Sequence, residues 1–143
     1  MHIAQIIEQR PSSQIVTIAC ETQVSEAVRL LAGKRIGALP VMKDGEVVGI
    51  FSERDVIYRL AEDGGACLAR TVAEVMTSPP ITVERRATVD QALALMTKRR
   101  VRHLPVLDET GMCGFISIGD LVKSRIDEVE HEARAMRDYI ATA

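Results

Sequence analysis

The sequence predicts an α+β fold made of two copies of one β-α-β-β-α unit, closed by a long C-terminal helix. Three observations carry that prediction. The chain matches itself at an offset of 65 residues. Each copy runs a short β-prone segment into a helical period and then into a hairpin. After Gly119 the chain contains neither Gly nor Pro as far as Ile140.

The self-match is continuous from Val16–Val41 laid on Ile81–Val106, and it resumes in the same register at Gly49–Val56 and Gly114–Leu121. Identical pairs include Thr17/Thr82, Ala27/Ala92, Arg35/Arg100, Pro40/Pro105, Gly49/Gly114, Ser52/Ser117 and Asp55/Asp120. Repeats of this kind are units that cannot bury their apolar faces alone and must pack on one another. The register sets the expected boundaries: 1–66, 67–126, and a helical extension over 127–143.

Each element has a local reason. Ile15–Ile18 and Ile81–Val83 are the β-prone leads. Val24, Ala27, Val28 and Leu31 recur at helical spacing, as do Val89, Ala92, Leu93 and Met96. Asp44-Gly45 between two apolar runs marks a two-residue hairpin turn, and the second copy uses the looser "DETG". A second helix starts at Ser52 or Ser117. Two prolines in "MTSPPI" (Met76 to Ile81) break regular structure between the copies. In the last helix Val122, Ile126, Val129, Ala133, Met136 and Ile140 are spaced 4, 3, 4, 3, 4, a heptad-like seam open to two readings: a helix lying back on its own domain, or a dimer contact, which its extension well beyond the repeat favours.

Composition narrows the function. A chain of 143 residues with 47% hydrophobic content can bury a sizeable core. Its net charge of −2 argues against bulk attraction to nucleic acid or an anionic membrane. Aromatic residues make up 3% and Trp is absent, which disfavours a base-stacking surface. Cys20, Cys67 and Cys113 are widely spaced and odd in number, as in a reduced, cytoplasmic setting. No apolar run approaches a membrane span, and the N-terminus turns polar too early for a signal peptide. Neither G-x-S-x-G nor a P-loop is present, and no His and Cys stand at metal-ligand spacing, so catalysis is not expected.

The pieces "VAEVMTSPPITV", "RVRHLPVLD", "GFISIGDLV", "GALPVMKDG" and "GIFSERDV" resemble the CBS-domain family, named for cystathionine β-synthase. The likeness runs from about Ile6 to Ile126. It implies a tandem of CBS repeats, or Bateman module: two units related by a pseudo-two-fold axis and packed through their sheets, often dimeric. Such modules commonly bind adenine nucleotides between the units and regulate a partner. The first copy departs at its start, where Ser12-Ser13-Gln14 is inserted relative to the second.

Two readings apply to Ser117-Ile118-Gly119-Asp120. Ser with an acid three residues later caps a helix. The same carboxylate offers two oxygens to the vicinal hydroxyls of a ribose, and the resemblance implies that role for Asp120, with Ser117 beside it. Ser52 and Asp55 repeat the motif, but Arg54 stands where the second copy has Gly119. A cation in a first helical turn opposes the dipole, so Arg54 needs a compensating partner, and a phosphate is a candidate. Arg102 and His103 are cationic candidates in the second copy where the first has Gly37 and Ala38; with Arg54 they would converge on one phosphate. The resemblance further implies two adenine slots, one at Ile36-Gly37-Ala38-Leu39-Pro40, the other at Val101-Arg102-His103-Leu104-Pro105, with Thr17 and Thr82 at the ends of the first strands. The expectation is a regulatory protein binding AMP, with ADP, ATP or NAD as other adenine nucleotides, without a required cofactor, and forming a homodimer. The alternative is a dimeric interaction module whose clefts are vestigial.

Overall fold

A computed structural model describes residues 1–10 and 14–142; Ser12 and Ser13 of the insertion lie outside the described residues. In chain order the elements are α1 (Ile3–Glu8), β1 (Ile18–Ala19), α2 (Val24–Lys34), β2 (Ala38–Lys43), β3 (Glu46–Ser52) and α3 (Glu53–Asp63). A 3₁₀ turn (Gly64–Ala69) leads to α4 (Val72–Val75), β4 (Val83–Glu84), α5 (Val89–Arg99), β5 (His103–Asp108), β6 (Gly111–Ser117) and α6 (Ile118–Thr142). Two three-stranded sheets result, ordered β1-β2-β3 and β4-β5-β6, each with one parallel and one antiparallel pairing. The mixed fold and its duplication are therefore as the sequence predicts.

Local chemistry fixes the details. Lys43 pairs with Glu46, leaving Asp44 and Gly45 as a two-residue turn with φ of 50° and 81°. Only Gly and a few Asn or Asp residues accept such angles readily. The second hairpin also has two loop residues: the Asp108 carboxylate accepts from the Thr110 amide at 2.8 Å and from its hydroxyl, and Gly111 takes φ 120°. The leading strands are shorter than expected. Ile18 and Ala19 find partners in Val41 and Met42, whereas Ile15 and Val16 stand before the strand and face a cavity.

The leading helices are exchanged between the units. Ile3, Ile6 and Ile7 of α1 belong to the core of the second unit, with Val89, Ala92, Met96, Leu104, Val106, Ile116 and Leu121. Val72 and Val75 of α4 belong to the core of the first, with Val24, Ala27, Leu31, Leu39, Val41 and Phe51. Backbone bonds repeat the exchange: Ile3 N–H donates to the Ala87 carbonyl at 2.9 Å, and Val72 N–H to that of Thr22 at 2.7 Å. The paired glycines make room for it. A Cβ on Gly114 would lie 3.0 Å from the Ile7 side chain, and one on Gly49 would lie 2.9 Å from the Thr77 carbonyl oxygen.

Helix α6 packs on its own unit only through its first turns, where Leu121 joins the core and Arg125 reaches Asp90 of α5 at 3.8 Å, and it is exposed from Val129 onward. Leu121 and Ser124 are its buried residues. Val122, Ile126, Val129, Met136 and Ile140, all in the heptad-like seam, are exposed. No helix among the described residues is long and apolar enough to cross a membrane.

Candidate functional site

The exchange creates a cavity of about 380 Å³ where the two units meet. Its walls are largely apolar: Ile6 and Ile7 of α1, Ile15 and Val16, Ile36 and Ala38, then Phe115 and Ile116 of β6. One end is polar, with Arg10, His103, Ser117 and Asp120. This size and this mix, apolar walls with a few convergent polar groups, suit a small-molecule site.

Strand β6 ends at Ser117 and α6 starts at once, which delivers Asp120 to the cavity. The Ser117 hydroxyl accepts from the Asp120 amide at 3.1 Å, and the Asp120 carboxylate accepts from the Ser117 amide at 2.8 Å. The capping arrangement read from the sequence is therefore present. It also fixes the carboxylate in the site. Arg10 completes the arrangement by a bidentate pair: Nη1 donates to Oδ2 at 3.0 Å and Nη2 donates to Oδ1. Burial works against the charge on Asp120, but Arg10 and the Ser117 amide outweigh it and hold the carboxyl below its usual range. Hydrogen bonding to Asp120 raises the Arg10 pKa in turn.

His103 opens β5, with its ring stacked on Phe115 at 5.5 Å between centroids and 16° between planes. Burial pushes its pKa down, Asp120 and Glu53 pull it up, and Arg102 adds to the lowering. The net direction is downward, so His103 is a neutral imidazole at neutral pH rather than the cation expected from the sequence.

Among the expected residues, Ile36, Ala38, His103, Ser117 and Asp120 share this cavity. Gly37 is next to it, where an added Cβ would lie 3.3 Å from the His103 ring. Pro40 and Pro105 are buried in β2 and β5, opposite Ile50 and Phe115. Val101 packs on the core of the second unit. Thr17 is exposed ahead of β1. Thr82 lies at a second, open depression with Arg85, Arg86 and Asp108. Arg102 is exposed, and its carbonyl accepts from the Ile118 amide at 2.8 Å.

The first-unit motif is differently engaged. Asp55 Oδ2 accepts from the Ser52 amide at 2.9 Å, and Oδ1 accepts from the Thr77 hydroxyl at 2.8 Å. Arg54 donates to the Arg100 carbonyl at 2.9 Å. Its compensating partner in this structure is thus the negative end of α5, where Arg100 is the C-cap.

Arg10 was not expected from the sequence. The matching backbone bonds of Ile3 and Val72 set an offset of 69 at this end, one residue more than Ser12-Ser13-Gln14 accounts for, and Arg10 then lies over Pro79, so a cation stands where the other copy has none. That asymmetry was the available signal.

The CBS-domain family profile matches residues 3–62 and 72–127. The chain belongs to the CBS-domain family. It is 36% identical over 122 residues to the mitochondrial CBS domain-containing protein CBSX3 of Arabidopsis thaliana, covering 82% of this chain and 59% of that relative. The chain therefore spans about three fifths of the length of CBSX3. A putative signal-transduction protein with CBS domains from Burkholderia ambifaria has a similar structure, with 40% identity, a TM-score of 0.81, and coverage of 89% of this chain and 95% of that one. The CBS domain pair of protein MJ0100, crystallised with 5′-methylthioadenosine and S-adenosyl-L-methionine, is 25% identical with a TM-score of 0.73, covering 86% and 98% of the two chains.

Proposed function

We propose that this CBS pair is a regulatory sensor, not an enzyme, and that it binds an adenine nucleotide, AMP foremost, in the cavity between its units. The observation that carries this reading is the ordered carboxylate of Asp120 at the polar end of an otherwise apolar slot. A purine fits between Ile36, Ala38 and Ile116, and the two ribose hydroxyls donate to the carboxylate. The adenosyl ligands of MJ0100, a pair of the same fold, support the class of ligand. Ligand binding alters how the units pack, and it acts on a partner to the extent that affinity differs between the packed states.

The exposed α6 seam is read as the contact with a second copy. In a parallel pair the flanking positions bring Arg125 opposite Glu130, and Glu132 opposite Arg137, so each flank carries opposite charges.

The test is a thermal-shift and calorimetric panel of AMP, ADP, ATP, NAD and GMP. Nucleotide at about 100-fold over Kd stabilises by about 2.7 kcal/mol. Asp120→Ala should lower AMP affinity by about tenfold or more, the weight of charge-assisted hydrogen bonds. No shift with any of the nucleotides would leave the interaction-module reading, with vestigial clefts, in its place.

A further inference from the structure

We infer that Arg10 is the residue by which the cavity selects anionic adenosyl ligands over neutral ones; the inference rests on the reading that Asp120 holds the ribose.

Both carboxylate oxygens of Asp120 carry an Arg10 hydrogen bond. This is the edge of the carboxylate that a vicinal diol must use. A ligand that takes it has to part a bidentate guanidinium–carboxylate pair, the strongest kind of side-chain hydrogen bonding available to the site. A neutral nucleoside supplies two hydroxyls to Asp120 and nothing to Arg10. The guanidinium is then stranded beside a polar but uncharged ligand. A nucleotide supplies the same hydroxyls and also a phosphate, whose oxygens match the planar fork of the guanidinium. Arg10 then exchanges one anion for another.

The anchoring of Arg10 suits that exchange. Its backbone is held at the end of α1, with its N–H donating to the Ile7 carbonyl at 2.9 Å. Helix α1 is in turn fixed in the core of the second unit by Ile3, Ile6 and Ile7. The side chain is different, being half exposed while Asp120 is mostly buried. A long cationic arm on a fixed base can leave the carboxylate and still reach a group bound at the mouth of the cavity. The other charged groups around Asp120 do not duplicate it. His103 is neutral, Glu53 is an anion, Arg54 is on the Arg100 carbonyl, and Arg102, unlike Arg10, does not line the cavity.

The first-unit carboxylate sharpens the contrast. Asp55 receives a neutral hydroxyl from Thr77, and among the described residues it has no ion pair to be broken. A charge requirement is therefore built into the Asp120 site and not into the Asp55 motif.

The experiment is calorimetry of the full chain with AMP, adenosine and methylthioadenosine at one ionic strength, for the wild type, Arg10→Gln and Asp120→Ala. The wild type should prefer AMP to adenosine by about tenfold or more. Arg10→Gln should weaken AMP and tighten adenosine and methylthioadenosine, collapsing that preference. Arg10→Lys, which retains charge without the fork, should fall between the two and serves if the glutamine variant does not fold. An unchanged AMP-to-adenosine ratio in Arg10→Gln, with Asp120→Ala still losing both ligands, would overturn the role of Arg10 and leave the nucleotide site standing. Failure of the wild type to bind any of the three would remove both.

Discussion

Replacing Ile3 by Ala tests the exchange of helices more sharply than any change in the sheets. Ile3 is fully buried, and the core it belongs to is otherwise built, outside α1, from residues such as Val89, Met96, Leu104 and Leu121, more than 80 positions further along the chain. Truncating a buried Ile to Ala costs about 2–5 kcal/mol, part transfer energy and part cavity. A helix of only six residues can yield somewhat, which favours a value of about 3 kcal/mol. At roughly 2–4 °C per kcal/mol for a chain near this size, the melting midpoint should fall by about 6–12 °C. Urea unfolding followed by circular dichroism gives the free energy, with an unchanged slope showing that the unfolded state is the same. Amide exchange locates the damage. Protection should fall first in α5, β5 and β6 of the second unit, because that is the core that loses volume. A loss under about 1 kcal/mol, or exchange that quickens first in β2 and β3, would refute the assignment of α1 to the second unit.

Two further outcomes follow from the site and from α6. The lowered pKa of His103 means that the unfolded chain binds its proton more readily than the folded one. The stabilising contribution is therefore complete above the ordinary histidine pKa of about 6.5 and is lost as pH falls from there toward the folded value. His103→Asn should flatten the pH dependence of the melting midpoint in that window, and an unaltered slope would count against a half-buried neutral imidazole. Val129→Glu with Met136→Glu places four like charges at the middle of a paired α6 seam. Sedimentation should show a dimer becoming a monomer with the melting behaviour of each unit retained, since both residues are exposed in the single chain. A wild-type chain that sediments as a monomer at micromolar concentration would argue against the α6 contact.

What the sequence could reveal was set by how local the signal is. The Asp44-Gly45 turn and the Ser-x-x-Asp caps need only neighbours in the chain, and each appears where its residues predicted it. The repeat register was legible because matched apolar positions recur without a gap. The exchange was not, because Ile3, Ile6 and Ile7 give the same helical period whichever core receives them. Arg54 illustrates an intermediate case. Its conflict with the helix dipole was readable, but its partner is a carbonyl 46 residues away at the end of another helix. Arg10 lies 110 residues from Asp120, and only the folded topology brings them together.

The swapped leading helices carry one last consequence. Cut at the repeat boundary, residues 1–66 would keep a helix with no home and lose the Val72 and Val75 that seal their interior. Such a fragment could satisfy itself only by lending its own first turn to a twin and borrowing the twin's in return. A lone half of this protein is thus an association-prone object by construction, and the tandem is the shortest stretch of chain that closes on itself.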